Sequence, residues 1–139
     1  MPATETFLVP KHRRHVPTAR QRLHKALAGW GVADELTDSV VLLASELITN
    51  AVLHCRTSYA QVSVTLTLED PELVLEVSDP DRDRLPRPHD SGPDDEGGRG
   101  LALVSALSDD WGWRQDPYTK CVWARFTLAG RRDVAPAAP

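Results

Sequence analysis

Between residues 61 and 77 the sequence alternates apolar and polar side chains, and this alternation constrains the fold more than any other feature. Apolar residues occupy every second position on both sides of an Asp70-Pro71 turn: Val62, Val64, Leu66 and Leu68, then Leu73, Leu75 and Val77. A period of two places them all on one face of a β-hairpin. The pattern therefore predicts a sheet with one buried face, which other parts of the chain must cover.

Segments with helical periodicity, most of them before the hairpin, are predicted to cover the buried face of the sheet. The predicted elements are a strand at residues 5–9 that ends at Pro10, a helix from about Pro17 to Gly29–Gly31, a longer apolar helix over about 34–55, the hairpin, a helix opening near 100–101, and strands over about 110–115 and 120–128. This order lacks the βαβ alternation of a parallel sheet. It predicts a two-layer α/β sandwich, with a mixed, mostly antiparallel sheet and helices on one face.

Length, charge and cysteine usage limit the class of protein. The 139 residues fit one domain. We divide them into an N-terminal strand and basic turn (1–16), a folded domain (17–129) and a disordered Ala/Pro-rich tail (130–139). A net charge of −4 argues against a nucleic-acid or anionic-membrane partner. Without a signal-peptide pattern, an apolar run of about 18 residues or a metal-type cysteine spacing, we expect a cytoplasmic protein that neither spans a membrane nor binds zinc.

A polar stripe on the long helix is the first candidate for chemistry. Glu46, Asn50 and His54 are spaced four apart and therefore share one helical face. The simple alternative is that they form the wet face of an amphipathic helix. The other faces, however, are nearly all apolar, so we expect the helix to be buried and its polar groups to need partners. A metal-bound polyphosphate would supply them.

Two further candidates flank a long, proline- and charge-rich loop at residues 80–97. Asp79 ends a strand, and its carboxylate can accept a hydrogen bond from the exocyclic amine of adenine; the alternative is a turn-initiating Asp before Pro80. The Gly97–Gly100 segment opens a helix, where backbone N–H groups and Arg99 can meet a phosphate. The alternative is a flexible hinge, and the segment is neither a Walker A loop nor a Rossmann fingerprint.

The order of these segments resembles a known family. The helix reads Ser-Glu-Leu-Ile-Thr-Asn-Ala-Val-Leu-His, the hairpin ends in Val-Ser-Asp, and the next helix opens with Gly-Gly-Arg-Gly-Leu-Ala-Leu-Val. Together they closely resemble the GHKL ATP-binding superfamily over residues 17–128. The short chain and its ending, Trp-Gly-Trp-Arg followed by Lys-Cys-Val-Trp-Ala, are similar to the anti-sigma-factor serine/threonine kinases in that superfamily.

The resemblance implies a role for each candidate residue. Asn50 would ligate Mg²⁺, Glu46 would act as the catalytic base and Asp79 would recognise adenine. Loop 80–97 would be the ATP lid. The remaining ATP-binding positions that the resemblance implies, most of them near the phosphates, are His54, Gly98, Arg99, Gly100 and Leu101.

The sequence departs from the family pattern at two places. The family's Asp-x-Gly-x-Gly segment reads Asp79-Pro80-Asp81-Arg82-Asp83, so close backbone approach to the nucleotide is lost there. Cys121 stands at a strand position where many relatives carry a threonine near the adenine site. These departures point to weaker ATP binding.

Three functions are therefore compared. The first is a serine/threonine kinase using ATP and Mg²⁺ that acts as an anti-sigma factor, with a sigma factor and/or an anti-anti-sigma (antagonist) protein as partner. The alternative is a nucleotide-gated protein-binding module without catalysis. Glu46 favours the kinase, whereas the missing glycines favour the module. The third is a scaffold that binds no nucleotide. It would not explain why the polar stripe and the Gly97–Gly100 segment occur together. The family also leaves homodimerisation open, through the exposed sheet or the N-terminal strand.

Overall fold

The fold is an α/β sandwich in a computed structural model that describes residues 2–54, 61–80 and 104–128. Residues 104–107 are helical. The other elements, in chain order, are strand β1 (Ala3–Pro10), a short 3-10 helix (Arg13–His15), helix α1 (Val16–Gly29), helix α2 (Asp34–His54), and strands β2 (Gln61–Glu69), β3 (Glu72–Asp79), β4 (Asp110–Gln115) and β5 (Lys120–Thr127). The expected order of strands and helices is thus confirmed.

The five strands form one sheet in the order β1-β2-β3-β5-β4. Within the described ranges each neighbouring pair is antiparallel. The sheet anticipated as mixed is therefore fully antiparallel over these strands, and the two-layer α/β class is confirmed. Strands β2 and β3 are joined through a cis peptide between Asp70 and Pro71, so the predicted hairpin is present.

Alternation gives the sheet two distinct faces. Buried and partly exposed residues alternate along β2 and β3, and the apolar residues of the predicted hairpin are all on the buried side. The same face continues on β5 through Val122, Ala124 and Phe126, which pair with Val77, Leu75 and Leu73. Asp79, the last residue of β3, follows this alternation and therefore lies on the helix-facing side.

Helix α2 is the core helix of the domain. It packs against α1, β2 and β3. Its buried residues are Leu36, Thr37, Val40, Val41, Leu43, Ala44, Leu47, Ile48, Ala51 and Val52. By length and composition alone the segment Asp34–Leu53 could cross a membrane, so the expectation that no stretch is apolar enough was wrong. The core helix of a globular domain meets the same criteria, and this one packs against both α1 and the sheet.

Arg22 links α1 to strand β1 by two contacts. Its guanidinium donates to the carboxylate of Glu5 at 2.7 Å and lies 4.6 Å from the ring centre of Phe7. Strand β1 also pairs along its whole length with β2. The N-terminal strand predicted at residues 5–9 is therefore longer, and it forms an integral edge of the sheet.

Candidate functional site

Two charged side chains meet at the end of the central strands. Asp79 and Lys120 are register partners on β3 and β5, so their side chains emerge on the same, helix-facing side. Lys120 Nζ lies 3.6 Å from Asp79 Oδ2, and the two residues are 9% and 6% exposed. Charged groups are rarely buried this far unless they are paired. The candidate adenine residue is thus a buried, ion-paired carboxylate.

The polar stripe of α2 lies at the border of its buried surface. Glu46 and Asn50 are both half-buried and are one helical turn apart. Asn50 Oδ1 is buried, yet it accepts no hydrogen bond from any residue that the structure describes. A buried acceptor without a partner costs about 1–3 kcal/mol, so it needs an explanation. His54 is the last helical residue described, and its side chain lies outside the described part.

The unsatisfied oxygen of Asn50 fits a magnesium ion. Mg²⁺ takes oxygen ligands, keeps several waters and usually uses only one or two protein groups besides substrate phosphates. Among residues 2–54, 61–80 and 104–128, no group of three or more His, Cys, Asp or Glu side chains could hold a metal alone. A metal at Asn50 would be completed by oxygens beyond this described set, such as the phosphate oxygens of a metal–nucleotide complex.

Several predicted site residues lie outside the described ranges. They are Gly98, Arg99, Gly100 and Leu101, with residues 81–97 of the lid and the tail at 130–139. Of the predicted lid only Pro80 is described. The structure therefore brings Glu46 and Asn50 onto one helix and places Asp79 on the strand β3 against which that helix packs. The phosphate-binding part of the prediction stays a prediction.

The position assigned to Cys121 was wrong. Cys121 pairs with Ser78, not with Asp79, so it projects from the opposite face of the sheet. It is fully buried there, and burial raises the pKa of its thiol, opposed by a hydrogen bond with Ser78 and by the charge of Arg114. The residue beside Asp79 is Lys120, which the sequence reasoning missed. Counting back in twos from Ala124 and Val122 along β5 would have found it.

Known proteins share the family and the fold of this chain. Residues 9–126 match the family model described as the histidine kinase-like ATPase domain. No curated protein matches the sequence significantly. The solved structure of the RsbU and RsbW domains of Rv1364c from Mycobacterium tuberculosis has a TM-score of 0.71 at 19% identity, covering 91% of this chain and 32% of that chain. The histidine kinase domain of the blue-light activated histidine kinase EL346 from Erythrobacter litoralis has a TM-score of 0.57 at 20% identity, covering 93% and 70%. At these identities the two structures show a shared fold, and this chain spans only about a third of the first.

Proposed function

This chain belongs to the histidine kinase-like ATPase domain family, and from that premise we propose that it is a regulatory protein that binds ATP as its magnesium complex. The observation that carries the proposal is Asn50 Oδ1, a buried acceptor with no partner in the described part of the chain. It lies at the border of the buried face of α2, beside the core residues Leu47 and Ala51 and the half-buried Glu46 and Thr49. A bound cation would satisfy this oxygen.

Each described site residue has a definite task in this proposal. Asn50 holds Mg²⁺, which when bound offsets the negative charge of the phosphates. Asp79 lies on the helix-facing side of the sheet, and its carboxylate accepts a hydrogen bond from the adenine amine. Guanine carries a carbonyl at the corresponding position, so a group that only accepts hydrogen bonds discriminates against it. Together these residues select adenine and position the phosphates beside Glu46.

The finer proposal is a serine/threonine kinase that acts as an anti-sigma factor. Glu46, half-buried one turn before Asn50, takes the proton of a serine hydroxyl as its oxygen attacks the γ-phosphorus. The bond between that phosphorus and the β–γ bridging oxygen breaks, and ADP leaves. Phosphorylation adds about −2 charge to the partner, which is enough to disrupt a protein interface. The partner is an antagonist protein, a sigma factor or both, in the cytoplasm.

A second candidate is a nucleotide-gated binding module. It is favoured by the Asp79-Pro80-Asp81 segment, which lacks the glycines that the family carries after the adenine aspartate. In that case ATP would order a partner-binding surface without being consumed. The two candidates share the nucleotide site and differ only in turnover.

Calorimetric titration with ATP, in the presence and absence of Mg²⁺, tests the shared part. We expect binding that depends on Mg²⁺ and is stronger for ATP than for GTP. No binding of ATP would refute both candidates. Radiolabelled ATP and an authentic partner then separate them, because transfer of label to a serine supports the kinase and binding without transfer supports the module.

A further inference from the structure

Lys120 has no task in the function proposed so far, although it is buried beside the candidate adenine residue. We propose that Lys120 is a positioning residue for base recognition, whose ammonium keeps the Asp79 carboxylate ionised and so confines it to accepting hydrogen bonds. The proposal rests on the nucleotide site proposed above. It adds a specificity determinant that acts through Asp79.

The burial of this ion pair sets it apart from the other ion pairs described. The side chains of Lys120 and Asp79 are 11% and 8% exposed. Arg114, which pairs with Glu76 on the outer face, is 49% exposed. Outer-face pairs of this kind contribute little and are screened by solvent. The pair at the end of β3 is shielded from such screening, so its charges act strongly on each other.

Packing alone does not explain an ion pair at this position. Strands β3 and β5 are in register from Glu72 with Thr127 to Asp79 with Lys120, and the other pairs on the helix-facing side of that ladder are apolar. Replacing a buried ion pair with packed apolar residues is often neutral or stabilising. On the neighbouring strand β4, the register partner of Lys120 is the uncharged Gln115. A lysine here therefore calls for a role beyond packing.

The charge state of Asp79 determines which base it can recognise. A buried carboxylate without a cation tends to take up a proton. Protonated, it carries an O–H donor; ionised, it only accepts. Adenine presents an amine donor at its position 6, whereas hypoxanthine presents a carbonyl acceptor. The Lys120 ammonium therefore favours adenine by suppressing the protonated form of Asp79.

The experiment compares ATP with inosine triphosphate (ITP), which carries hypoxanthine. Affinities for both are measured by calorimetry on the native protein, Lys120→Met and Lys120→Arg. Met retains the apolar stem without the charge, and Arg retains the charge. We expect Lys120→Met to reduce the ATP-to-ITP preference about 10- to 100-fold, the scale of one charge-assisted hydrogen bond. Lys120→Arg should retain the native preference.

A double-mutant cycle shows whether Lys120 acts through Asp79. In an Asp79→Asn background, Lys120→Met should leave the ATP-to-ITP ratio unchanged, because the carboxylate is already absent. Thermal unfolding verifies folding of each variant, and Lys120→Gln replaces Lys120→Met if the latter does not fold. If the uncharged variant weakens ATP and ITP equally, or changes neither, Lys120 is structural and the inference is overturned while the nucleotide site stands. If the native protein binds no ATP, the proposed function fails and this inference fails with it.

Discussion

Asn50 is partly exposed, yet its side-chain oxygen is buried and has no hydrogen-bond partner in the part of the chain that the structure describes. Asn50→Ala should abolish Mg²⁺-dependent ATP binding. It should leave the free energy of unfolding within about 1 kcal/mol of native or raise it, because removing an unsatisfied buried acceptor offsets the lost packing. Calorimetry with Mg-ATP and chemical denaturation measure the two effects.

The matched control is Thr49→Ala, which truncates the adjacent half-buried polar residue of α2. It should bind Mg-ATP as the native protein does. Native affinity in Asn50→Ala would remove Asn50 from the site. A large loss of stability in the same variant would show that the side chain has a structural role instead.

Glu46 is predicted to matter for turnover and not for binding. Glu46→Gln keeps the shape of the side chain but removes the basic carboxylate. ATP affinity should therefore change little, whereas phosphoryl transfer to an authentic partner should fall roughly 10²- to 10⁴-fold. Single-turnover assays with radiolabelled ATP measure the loss.

Glu35→Gln provides the control, since Glu35 is an exposed acidic residue in the first turn of the same helix. It should transfer phosphate at the native rate. Equal rates for Glu46→Gln and the native protein would exclude Glu46 as the base. Of these two acidic residues of α2, only Glu46 is expected to affect phosphoryl transfer.

At the scale of elements, the β4–β5 hairpin depends on a close contact between Gly112 and an aromatic ring. A Cβ added to Gly112 would lie 2.6 Å from Cζ2 of Trp123, its cross-strand partner. Gly112→Ala should therefore force the indole aside and destabilise the protein by about 1–3 kcal/mol. Urea denaturation followed by tryptophan fluorescence measures the change.

Gly29→Ala is the matched control for this contact. Gly29 ends α1, and an added Cβ meets nothing within 4 Å. The substitution should stabilise the protein by about 0.5–1 kcal/mol, because alanine loses less backbone entropy in a helix. If both variants lost stability equally, the Trp123 contact would not be the cause.

The sequence predicted elements more reliably than it predicted faces. Strict alternation identified β2 and β3 together with their buried sides, because one face of each is apolar and the other polar. Strand β5 lacks that contrast, since Lys120, Cys121 and Val122 are consecutive and all buried. A shift of one residue exchanges the faces of a strand. Cys121 was for this reason assigned to the adenine side, and Lys120 was overlooked.

The tryptophans and the polar stripe also show that the sequence predicts elements better than it predicts the contacts of single side chains. Trp111, Trp113 and Trp123 all lie on β4 or β5, and their spacing in the sequence does not show what each one contacts. The structure separates them, because Trp111 packs against the core whereas Trp123 covers Gly112 on the outer face. The spacing of Glu46 and Asn50 correctly put them on one helical face. Only the structure could show that the side-chain oxygen of Asn50 is buried without a partner among the described residues, because that depends on neighbours distant in sequence.

For the molecule as a whole, the buried thiol of Cys121 links stability to alkaline pH. Burial raises the pKa of this thiol in the folded state, while the unfolded chain keeps an ordinary value of about 8.5. Above that value the unfolded state loses the proton first, so stability is fully present below it and falls as pH rises toward the folded pKa. The slope contributed by Cys121 is at most about 1.4 kcal/mol per pH unit.

Cys121→Ala should flatten this part of the pH dependence. The variant is expected to be about 1 kcal/mol less stable near pH 7, because truncation leaves a small void in a fully buried position. Urea denaturation of both proteins from pH 7 to 10 gives the comparison, and other titrating groups cancel in the difference. Parallel pH dependences of stability for the two proteins would mean that the fold does not raise the pKa of the thiol.

Binding of Mg-ATP should stabilise the entire domain, because a ligand that binds only the folded state shifts the unfolding equilibrium. At a concentration 100 times the dissociation constant the gain is about 2.7 kcal/mol. For 139 residues the typical entropy of unfolding converts this to a rise in Tm of roughly 9 °C. The rise should be absent with MgCl₂ alone and in Asn50→Ala. It should be smaller with Mg-GTP, because guanine presents a carbonyl to Asp79 at the position where adenine presents an amine. An equal rise with Mg-ATP and Mg-GTP would contradict the role of Asp79, whereas an undiminished rise in Asn50→Ala would contradict the metal site. Differential scanning fluorimetry of these samples therefore tests the two halves of the site separately.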